Sequence, residues 1–471
     1  MSPDWRELLK IRQSVVPPLD REFLPAALFH KEFRRLAAST GGLPLRFALE
    51  RSRGAISVYE TRTMQPSAAT ADLVMFHAVR TLKFLLWQRG AWRVHVGGPP
   101  EIGEHLRAVY SEGGARKFDY RYMSNLFERP FTVVPCAPEA VPPANEATIT
   151  LGRHLDGCRV GFDLGASDRK ACALQDGRVV YSEEVPWNPS PVADPEYHYR
   201  EIMDSIRSAA SRLPRLDAVG GSAAGVYIDN WARAASLFRG VPAGQFEEKV
   251  AGLFLRIRDE LGVPLEVIND GEVAALAGSM SLGRNPVLGI AMGSSEAAGY
   301  IDAAGRLTGW LDELAFVPID YRKGAPVDEW SGDEGCGVQY LSQVGAIRVA
   351  EGAGMSFAAG SSLPEKLVQL QERMKAGEPL ARLVYETVGA YLGYALAHYA
   401  DFYDLAHVLV LGRVTTGPGG KVIVAEAEKV LRKDFPELSA KVAIALPDES
   451  SRRVGQAIAA ASLPEIQRKK S

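Results

Sequence analysis

The sequence has few of the features that mark secreted, membrane-bound or nucleic-acid-binding proteins. It contains 4 cysteines in 471 residues, and no two form a Cys-x-x-Cys pair, so neither a disulfide framework nor a zinc ribbon is predicted. The net charge of −3 argues against a nucleic acid or an anionic membrane as a partner held by bulk positive charge. No apolar run approaches the roughly 20 residues of a membrane span. Reduced cysteines and a polar start without a signal or transit peptide predict a cytoplasmic protein.

The overall composition is that of an ordinary globular protein with several domains. It is 46% hydrophobic and 24% charged, close to the soluble average, and the length suits about three domains. The stretch VPCAPEAVPPANEA holds four prolines, which remove backbone donors and disfavour helix and central strand. We predict an α+β module of unknown role at 1–133, a linker at 134–150, and lobes at 151–280 and 281–471. We expect the last helix to pack back on the first lobe.

Strand and helix patterns alternate along the chain. Before the linker, two short strands surround a turn at Arg53–Gly54, and a helical pattern ends at Gly90. After the linker, a strand enters a glycine turn and a hairpin turns at Asp176–Gly177. A long helix with apolar i, i+3, i+4 spacing is predicted at 380–404. The order hairpin, helix, strand, helix, strand, followed by a related series, predicts two similar α/β halves.

The first motif with chemical content is Asp163-Leu164-Gly165-Ala166-Ser167, with Lys170 just beyond it. An aspartate at a strand end can hold Mg²⁺, usually through water. A glycine turn lets backbone amides approach phosphate oxygens, and the serine hydroxyl adds a donor. The alternative is a simple hairpin with no ligand.

The second motif is Asn269-Asp270-Gly271, at a strand end just before a helix. An aspartate there lies at the mouth of an α/β cleft and can accept a proton from an attacking hydroxyl. The alternative is that Asn269 or Asp270 only caps the helix. Both roles can hold together.

Two further small-residue turns follow apolar strands. Gly293 and Ser294 begin a run of small residues and hydroxyls that could cradle a phosphate. Gly412 and Arg413 follow the strand HVLVL, where a glycine would let an adenosine lie flat against the backbone. The alternative is a tight packing turn for the first pair and a plain strand-to-helix turn for the second.

Taken in order, these segments make the chain from Cys158 to about residue 470 similar to the ROK family of the actin-like ATPase superfamily. The matching segments are VGFDLGASDRKACALQDG, VGGSAAGVYID, VIND, VLGIAMGSSEAAGYID, VLVLGRV and VGQAIAAASL. The resemblance implies an α/β, two-lobed, actin-like (ribonuclease H-like) ATPase fold beside the extra N-terminal module. It also implies ATP and Mg²⁺ as ligands and transfer of the γ-phosphoryl group to a sugar hydroxyl.

The resemblance also implies roles for individual residues, with Asp270 as general base. Those implied to bind ATP or its phosphates are Asp163 (through Mg²⁺ and water), Gly165, Ser167, Lys170, Gly293, Ser294, Gly412 and Arg413. Those expected to contact the substrate are Gly225, Asn269, Asp312 and Glu313.

The chain departs from the family pattern in the segment VLGIAMGSSEAAGYID, which resembles the family's second phosphate loop, and around the implied sugar site. Glu296 brings a carboxylate near the expected phosphates and should repel ATP unless it faces away or binds a cation. Phe316 replaces a histidine, and phenylalanine can neither hydrogen-bond a hydroxyl nor bind zinc. Of the family's zinc-binding run only Cys336 remains, so no structural zinc is expected. Other acids and an indole that could complete a polyol site are Asp328, Glu329, Trp330 and Asp333.

The leading hypothesis is therefore an ATP-dependent kinase for a sugar or sugar-like polyol, monomeric or as a homodimer. The second is a catalytically altered protein that senses a sugar or a nucleotide, which the changed phosphate loop and the lost histidine favour. A DNA-binding regulator would need a winged helix before residue 150, and the sequence contains no such pattern.

Overall fold

Strands and helices alternate along the computed structural model, which describes residues 4–146, 151–165, 167–447 and 455–466. The strands are β1 (Leu43–Glu50), β2 (Ile56–Thr63), β3 (Arg93–Gly97), β4 (Thr132–Cys136), β5 (Cys158–Leu164), β6 (Asp168–Gln175), β7 (Arg178–Pro186), β8 (Ala218–Ala223), β9 (Val226–Ile228), β10 (Trp231–Ala234), β11 (Leu265–Asn269), β12 (Val287–Met292), β13 (Glu296–Ile301), β14 (His407–Leu411) and β15 (Ala443–Ala445). The helices are α1 (Trp5–Leu8), α2 (Ala26–Ser39), α3 (Ala71–Arg89), α4 (Pro100–Val109), α5 (Lys117–Phe127), α6 (Pro195–Ala210), α7 (Ala243–Gln245), α8 (Leu253–Leu261), α9 (Asp270–Leu282), α10 (Gln343–Gly352), α11 (Leu363–Lys375), α12 (Pro379–Tyr399), α13 (Pro418–Asp434), α14 (Pro436–Ser439) and α15 (Gly455–Ala461).

The predicted turns and the predicted end of helix α3 are confirmed. The turns at Arg53–Gly54 and Asp176–Gly177 join β1 to β2 and β6 to β7. Helix α3 ends before Gly90, whose φ of 73° suits a residue without a Cβ atom. Ala166 of the first motif, residues 147–150 of the linker and Val454 of the last helical segment lie outside the described residues.

The chain divides into two compact units. The first unit consists of Met1–Ala147, Ile290–Ala297 and Gly309–Leu446, and the second of Thr148–Gly289, Ala298–Thr308 and Pro447–Ser471. The predicted N-terminal module therefore shares its unit with residues 309–446. The chain passes from one unit to the other within strands β12 and β13.

The second unit is built on a sheet of order β11-β8-β5-β6-β7. Strands β11, β8 and β5 are parallel, and β5, β6 and β7 form an antiparallel meander. Helix α15 lies so close to this sheet that a Cβ atom at Gly161 or Gly220 would overlap the carbonyl oxygen of Ala457 or Ala460. Glycine is required at both positions because the helix backbone occupies the space of a side chain.

The N-terminal part of the first unit has a sheet of order β2-β1-β3-β4. Here the structure differs from the expected linker, because residues 134–136 lie in β4, which pairs with β3 in parallel. Strand β4 is an edge strand, and Pro135 is tolerated there because an edge residue can lack a ladder donor. Helix α3 is buried along most of its length.

The remainder of the first unit holds the long helix α12, which packs against α13, and strands β14 and β15 of a sheet of order β13-β12-β14-β15. Helix α12 is buried on all sides from Thr387 to Tyr399, whereas i, i+3, i+4 spacing predicts a single buried face, because neighbouring elements cover the whole helix. In the described ranges, no helix combines the length and the apolar content that a membrane crossing requires.

Candidate active site

Two aspartates meet at one edge of the sheet of the second unit. The strand register aligns Leu164 of β5 with Ala223 of β8, and Ala223 with Asn269 of β11. Because these three strands are parallel, their carboxyl ends lie at the same edge. Asp163 is one residue before the end of β5, and Asp270 begins α9 directly after β11. We call this edge, with Asp163 and Asp270, the carboxylate edge.

Asn269 ties the start of α9 to the loop after β8. Its Oδ1 atom accepts a hydrogen bond of 2.7 Å from the amide of Gly271, which confirms the predicted helix cap. Its Nδ2 atom donates to the carbonyl oxygen of Gly225 at 2.7 Å. The structure thus brings Gly225, Asn269 and Asp270 together, as the predicted site requires.

Close backbone packing also holds the start of α9 against residues 298–299 of β13. A Cβ atom at Gly271 would overlap the carbonyl oxygen of Ala298, and one at Gly299 would overlap the backbone of Gly271 and Glu272. Asp270 is therefore attached to a backbone that cannot shift without separating these segments.

Asp163 is 6% exposed, and its carboxylate has a partner that the sequence analysis did not identify. The hydroxyl of Ser222 on β8 donates to Oδ1 of Asp163 at 2.6 Å, and Ser222 is fully buried. Burial raises the pKa of Asp163, although the Ser222 hydrogen bond and the Lys170 charge oppose the shift. No local pattern could have indicated this contact, because it joins side chains 59 residues apart.

Asp270 has the electrostatics of a proton acceptor that works near neutral pH. Burial, and then the charge of Asp163, raise its pKa from 3.8 to about 6, and the amide hydrogen bond from Gly271 opposes the shift. The group remains mostly ionised at pH 7, with a proton affinity well above that of an ordinary aspartate. The Asp163 charge that raises the pKa of Asp270 belongs to a second carboxylate at the same edge, and carboxylate oxygens are ligands that a divalent cation prefers.

The turn of the first motif, which is predicted to bind phosphate, is tight and is held by its own residues and by Trp187. The amide of Gly165 donates to the carbonyl oxygen of Asp168 at 2.9 Å, and Trp187 Nε1 donates to the Gly165 carbonyl at 2.8 Å. The Ser167 hydroxyl and the Lys170 ammonium both bind the Asp168 carboxylate, at 3.0 and 2.9 Å. Asp168, which was not predicted, therefore holds the two donors expected to reach phosphate.

The first unit brings Gly293 and Gly412 together. Gly412 has a φ of 99°, and a Cβ atom there would overlap the backbone of Met292, so the turn requires glycine. The Gly293 amide donates to the carbonyl oxygen of Ser295 at 2.9 Å, and Ser294 is exposed at the tip of the turn.

Arg413 follows Gly412 and is exposed. Its carbonyl oxygen accepts a hydrogen bond of 2.7 Å from Nε2 of Gln371 on α11, so α11 supports the predicted adenosine region. Thr415 closes the same turn, with its hydroxyl donating to the Gly412 carbonyl at 2.9 Å.

The Glu296 side chain is buried and hydrogen-bonded. It is 2% exposed, and Tyr399 donates to its Oε1 atom at 3.1 Å. Burial raises the pKa of this carboxyl to about 8, so it is mostly neutral at pH 7. Gly337 provides the space, because a Cβ atom there would overlap Oε2 of Glu296. Of the two outcomes that the sequence left open, the structure has the carboxyl turned inward, which removes the expected repulsion of ATP.

Asp312 differs from its predicted role as a substrate contact. It is 2% exposed, and Tyr403 donates to its Oδ1 atom at 2.7 Å. A carboxylate so buried and already hydrogen-bonded is not accessible to a sugar, so Asp312 is better described as a core residue. Glu313, the next residue, is half-buried and keeps a side chain that solvent reaches.

The acidic loop also differs from the expected polyol site. Asp333 is bound by three cations from the N-terminal module: Arg80 at 2.8 Å, Lys83 at 3.4 Å and Arg116 at 2.5 Å. Burial alone would raise its pKa, but these charges hold the pKa far below the ordinary value. Asp328 is 6% exposed and closes a turn by accepting from Ser331. Both carboxylates are therefore committed to the protein interior, and only Glu329 and Trp330 of this group are exposed.

Phe316, which stands at the histidine position, belongs to an aromatic cluster. Its ring stacks on Trp87 of α3 with centroids 4.1 Å apart and an interplanar angle of 26°. Trp330 lies 6.3 Å from Phe316 and is 61% exposed. Cys336 is buried, and within the described ranges no group of three or more His, Cys, Asp or Glu residues could hold a metal ion.

No protein-family model and no curated protein match this sequence. Among solved structures, a ROK hexokinase from Thermus thermophilus aligns with 64% of this chain and 96% of its own, at 18% identity and a TM-score of 0.51. A ROK family transcriptional regulator, described as a homologue of the E. coli MLC protein, aligns with 66% of this chain and 78% of its own, at 16% identity and a TM-score of 0.51. The chain has the ROK fold. The resemblance inferred from the motifs is confirmed at this level, and the ROK fold is shared by an enzyme and a regulator.

Proposed function

We propose that this protein is an ATP-dependent kinase that transfers the γ-phosphoryl group to a hydroxyl of a sugar or sugar-like polyol. The observation that carries the proposal is the carboxylate edge, where Asp270 follows a parallel strand, begins a helix and has a pKa raised to about 6. The ROK fold supports the assignment, since the Thermus thermophilus protein with this fold is a hexokinase.

Asp270 would accept the proton of the acceptor hydroxyl as that oxygen attacks the γ-phosphorus. The P–O bond to the leaving ADP breaks while the new P–O bond forms, and the proton remains on the carboxylate until product release. Phosphate-binding roles fall to Gly165, Ser167, Lys170, Gly293 and Ser294, the adenosine side to Gly412 and Arg413, and the acceptor to Gly225, Asn269 and Glu313.

Asp163 is the residue that would hold Mg²⁺, through water. Its second carboxylate oxygen, which does not accept the Ser222 hydrogen bond, and the second carboxylate at Asp270, whose pKa the Asp163 charge raises, suit a hard divalent cation. When bound, the ion would neutralise the charge of the phosphate oxygens. Ser222 would keep the Asp163 carboxylate in one orientation through its 2.6 Å hydrogen bond.

The test is Asp270→Asn, which preserves shape but removes the proton acceptor. We expect kcat to fall at least about a hundredfold with near-normal ATP binding, in line with general-base contributions. Asp259→Asn, an exposed aspartate of α8, is the matched control and should leave kcat unchanged. The assay is phosphoryl transfer over a panel of sugars and aminosugars. An Asp270→Asn variant with near-normal turnover would reject the assignment.

The pH profile gives a second test of the same residue. Because protonated Asp270 cannot accept a proton, kcat/KM should fall as pH is lowered through about 6. An activity that stays constant from pH 7 to pH 5 would contradict a proton acceptor at this position.

A sugar or nucleotide sensor is the second candidate function. It is favoured by Phe316 at the histidine position and by the presence of a regulator with the same fold. Calorimetry separates the two: binding of both ATP–Mg²⁺ and a sugar agrees with the kinase, whereas sugar binding without nucleotide binding favours the sensor.

A further inference from the structure

The C-terminal end of α3 is bonded to the segment that carries Glu313. We call residues Asp312 to Phe316 the acceptor segment. The amides of Asp312 and Glu313 donate to the carbonyl oxygens of Gln88 and Trp87, each at 2.9 Å. Carbonyls of a last helical turn lack partners inside the helix, so the acceptor segment supplies donors that α3 would otherwise take from water. The backbone position of Glu313 is therefore set by α3.

Side-chain contacts also hold the acceptor segment against α3. Phe316 stacks on Trp87, which is fully buried, with ring centroids 4.1 Å apart. The Trp87 ring is also fixed by a hydrogen bond, because its Nε1 atom donates to Oδ1 of Asp119 on α5 at 2.6 Å. Lys83 binds the same oxygen at 2.9 Å. The tryptophan ring is thus locked by a buried ion pair within the N-terminal module, and the acceptor segment rests on that ring.

Gly90, at the end of α3, is packed closely against Leu311. A Cβ atom at Gly90 would lie 2.9 Å from Cγ of Leu311, just before the acceptor segment. On the other side, Tyr403 holds Asp312 with its 2.7 Å hydrogen bond. Glu313 lies between these two contacts, and its backbone is held while its side chain stays partly exposed.

We propose that Trp87 is a positioning residue for acceptor binding, and that α3 and α5 of the N-terminal module are part of the substrate site because they place Glu313. This inference rests on the proposed function, in which Glu313 binds the acceptor. The N-terminal module would then have a role in substrate binding. It supports the acceptor segment through one ring stack and two backbone hydrogen bonds. Misplacement of a substrate-binding group by about 1 Å costs up to a hundredfold in activity, so the effect is measurable.

The test uses the full chain with Trp87→Leu, Trp87→Phe and Trp92→Leu. The probes are D-glucose, N-acetyl-D-glucosamine and D-mannitol, measured by calorimetry beside ATP–Mg²⁺. We expect Trp87→Leu to weaken sugar binding at least about tenfold with unchanged ATP–Mg²⁺ affinity, since it removes the stack. Trp87→Phe should recover most of the affinity, because it keeps an aromatic face. Trp92→Leu, the matched control in the same module, should behave as wild type.

Hydrogen exchange of the unliganded chain provides a readout that needs no substrate. The amides of Asp312 and Glu313 should exchange at least about tenfold faster in Trp87→Leu, while the peptide covering 265–282 stays unchanged. If Trp87→Leu does not fold, Phe316→Leu removes the same stack from the half-buried partner and should give the same pattern.

The outcomes separate this inference from the proposed function. Sugar binding without phosphoryl transfer in the wild-type protein would reject the kinase and leave the positioning role intact. Unchanged sugar affinity in a variant with faster exchange at 312–313 would overturn the positioning role, as would equal losses of sugar and ATP–Mg²⁺ affinity. A wild-type protein that binds none of the probes would overturn the acceptor site itself.

Discussion

Replacing Glu296 by glutamine should change the pH dependence of stability. The Glu296 carboxyl is 2% exposed, Tyr399 donates to one oxygen, and the other oxygen has no hydrogen-bond partner in the part of the chain that the structure describes. Burial raises its pKa from 4.5 to about 8. The folded protein therefore keeps this proton at pH values where the unfolded chain has lost it.

The sign follows from proton linkage. Between pH 4.5 and about 8 the folded state binds one more proton at Glu296 than the unfolded state, so this group makes stability fall as pH rises. At 1.36 kcal/mol per pH unit, the loss between pH 5.0 and 7.5 is about 3 kcal/mol. Glutamine has a similar shape and no charge to lose. The free energy of unfolding of Glu296→Gln, relative to wild type, should therefore increase by about 3 kcal/mol over that range.

The assay is urea unfolding of both proteins at pH 5.0 and 7.5, followed by tryptophan fluorescence. The seven tryptophans include five in the first unit, where Glu296 lies. Glu139→Gln, an exposed glutamate of the same unit, is the control and should show the wild-type pH dependence. A difference between Glu296→Gln and wild type that is equal at both pH values would refute the argument, because it would mean that Glu296 does not change its ionisation between them.

Three further predictions concern buried contacts. Asp333→Asn should lower the free energy of unfolding by about 3–5 kcal/mol in denaturant titrations, since it leaves two buried cations, Arg80 and Lys83, and the partly buried Arg116 without their shared anion; a loss below 1 kcal/mol would show that the cluster is not structurally important. Ser222→Ala should reduce kcat and weaken Mg²⁺-dependent ATP binding by freeing the Asp163 carboxylate, and the idea fails if calorimetry finds wild-type affinity. Gly220→Ala should destabilise the second unit by about 1–3 kcal/mol through overpacking against α15, whereas Gly244→Ala, which meets no neighbouring atom, should be close to neutral in thermal unfolding.

Much of the fold and part of the candidate site could be predicted from local sequence. Strand ends followed by glycine or by a capping residue placed Asp163, Asn269 and Asp270 correctly, because the carboxyl ends of parallel strands necessarily meet at one edge. Turns at Gly90 and at Asp176–Gly177 were predictable for the same reason, namely that their chemistry is contained in a few adjacent residues.

The sequence by itself thus determined which residues end strands and begin helices, and with them the carboxylate edge. Only the tertiary structure decided how side chains are oriented and which residues they contact. It turned Glu296 inward onto Tyr399 and gave Asp163 a hydroxyl partner in Ser222. It also bound the segment of Glu313 to α3, whose residues lie more than 200 positions earlier in the chain. The physical reason is that burial and partnership depend on packing between distant elements, about which neighbouring residues carry no information.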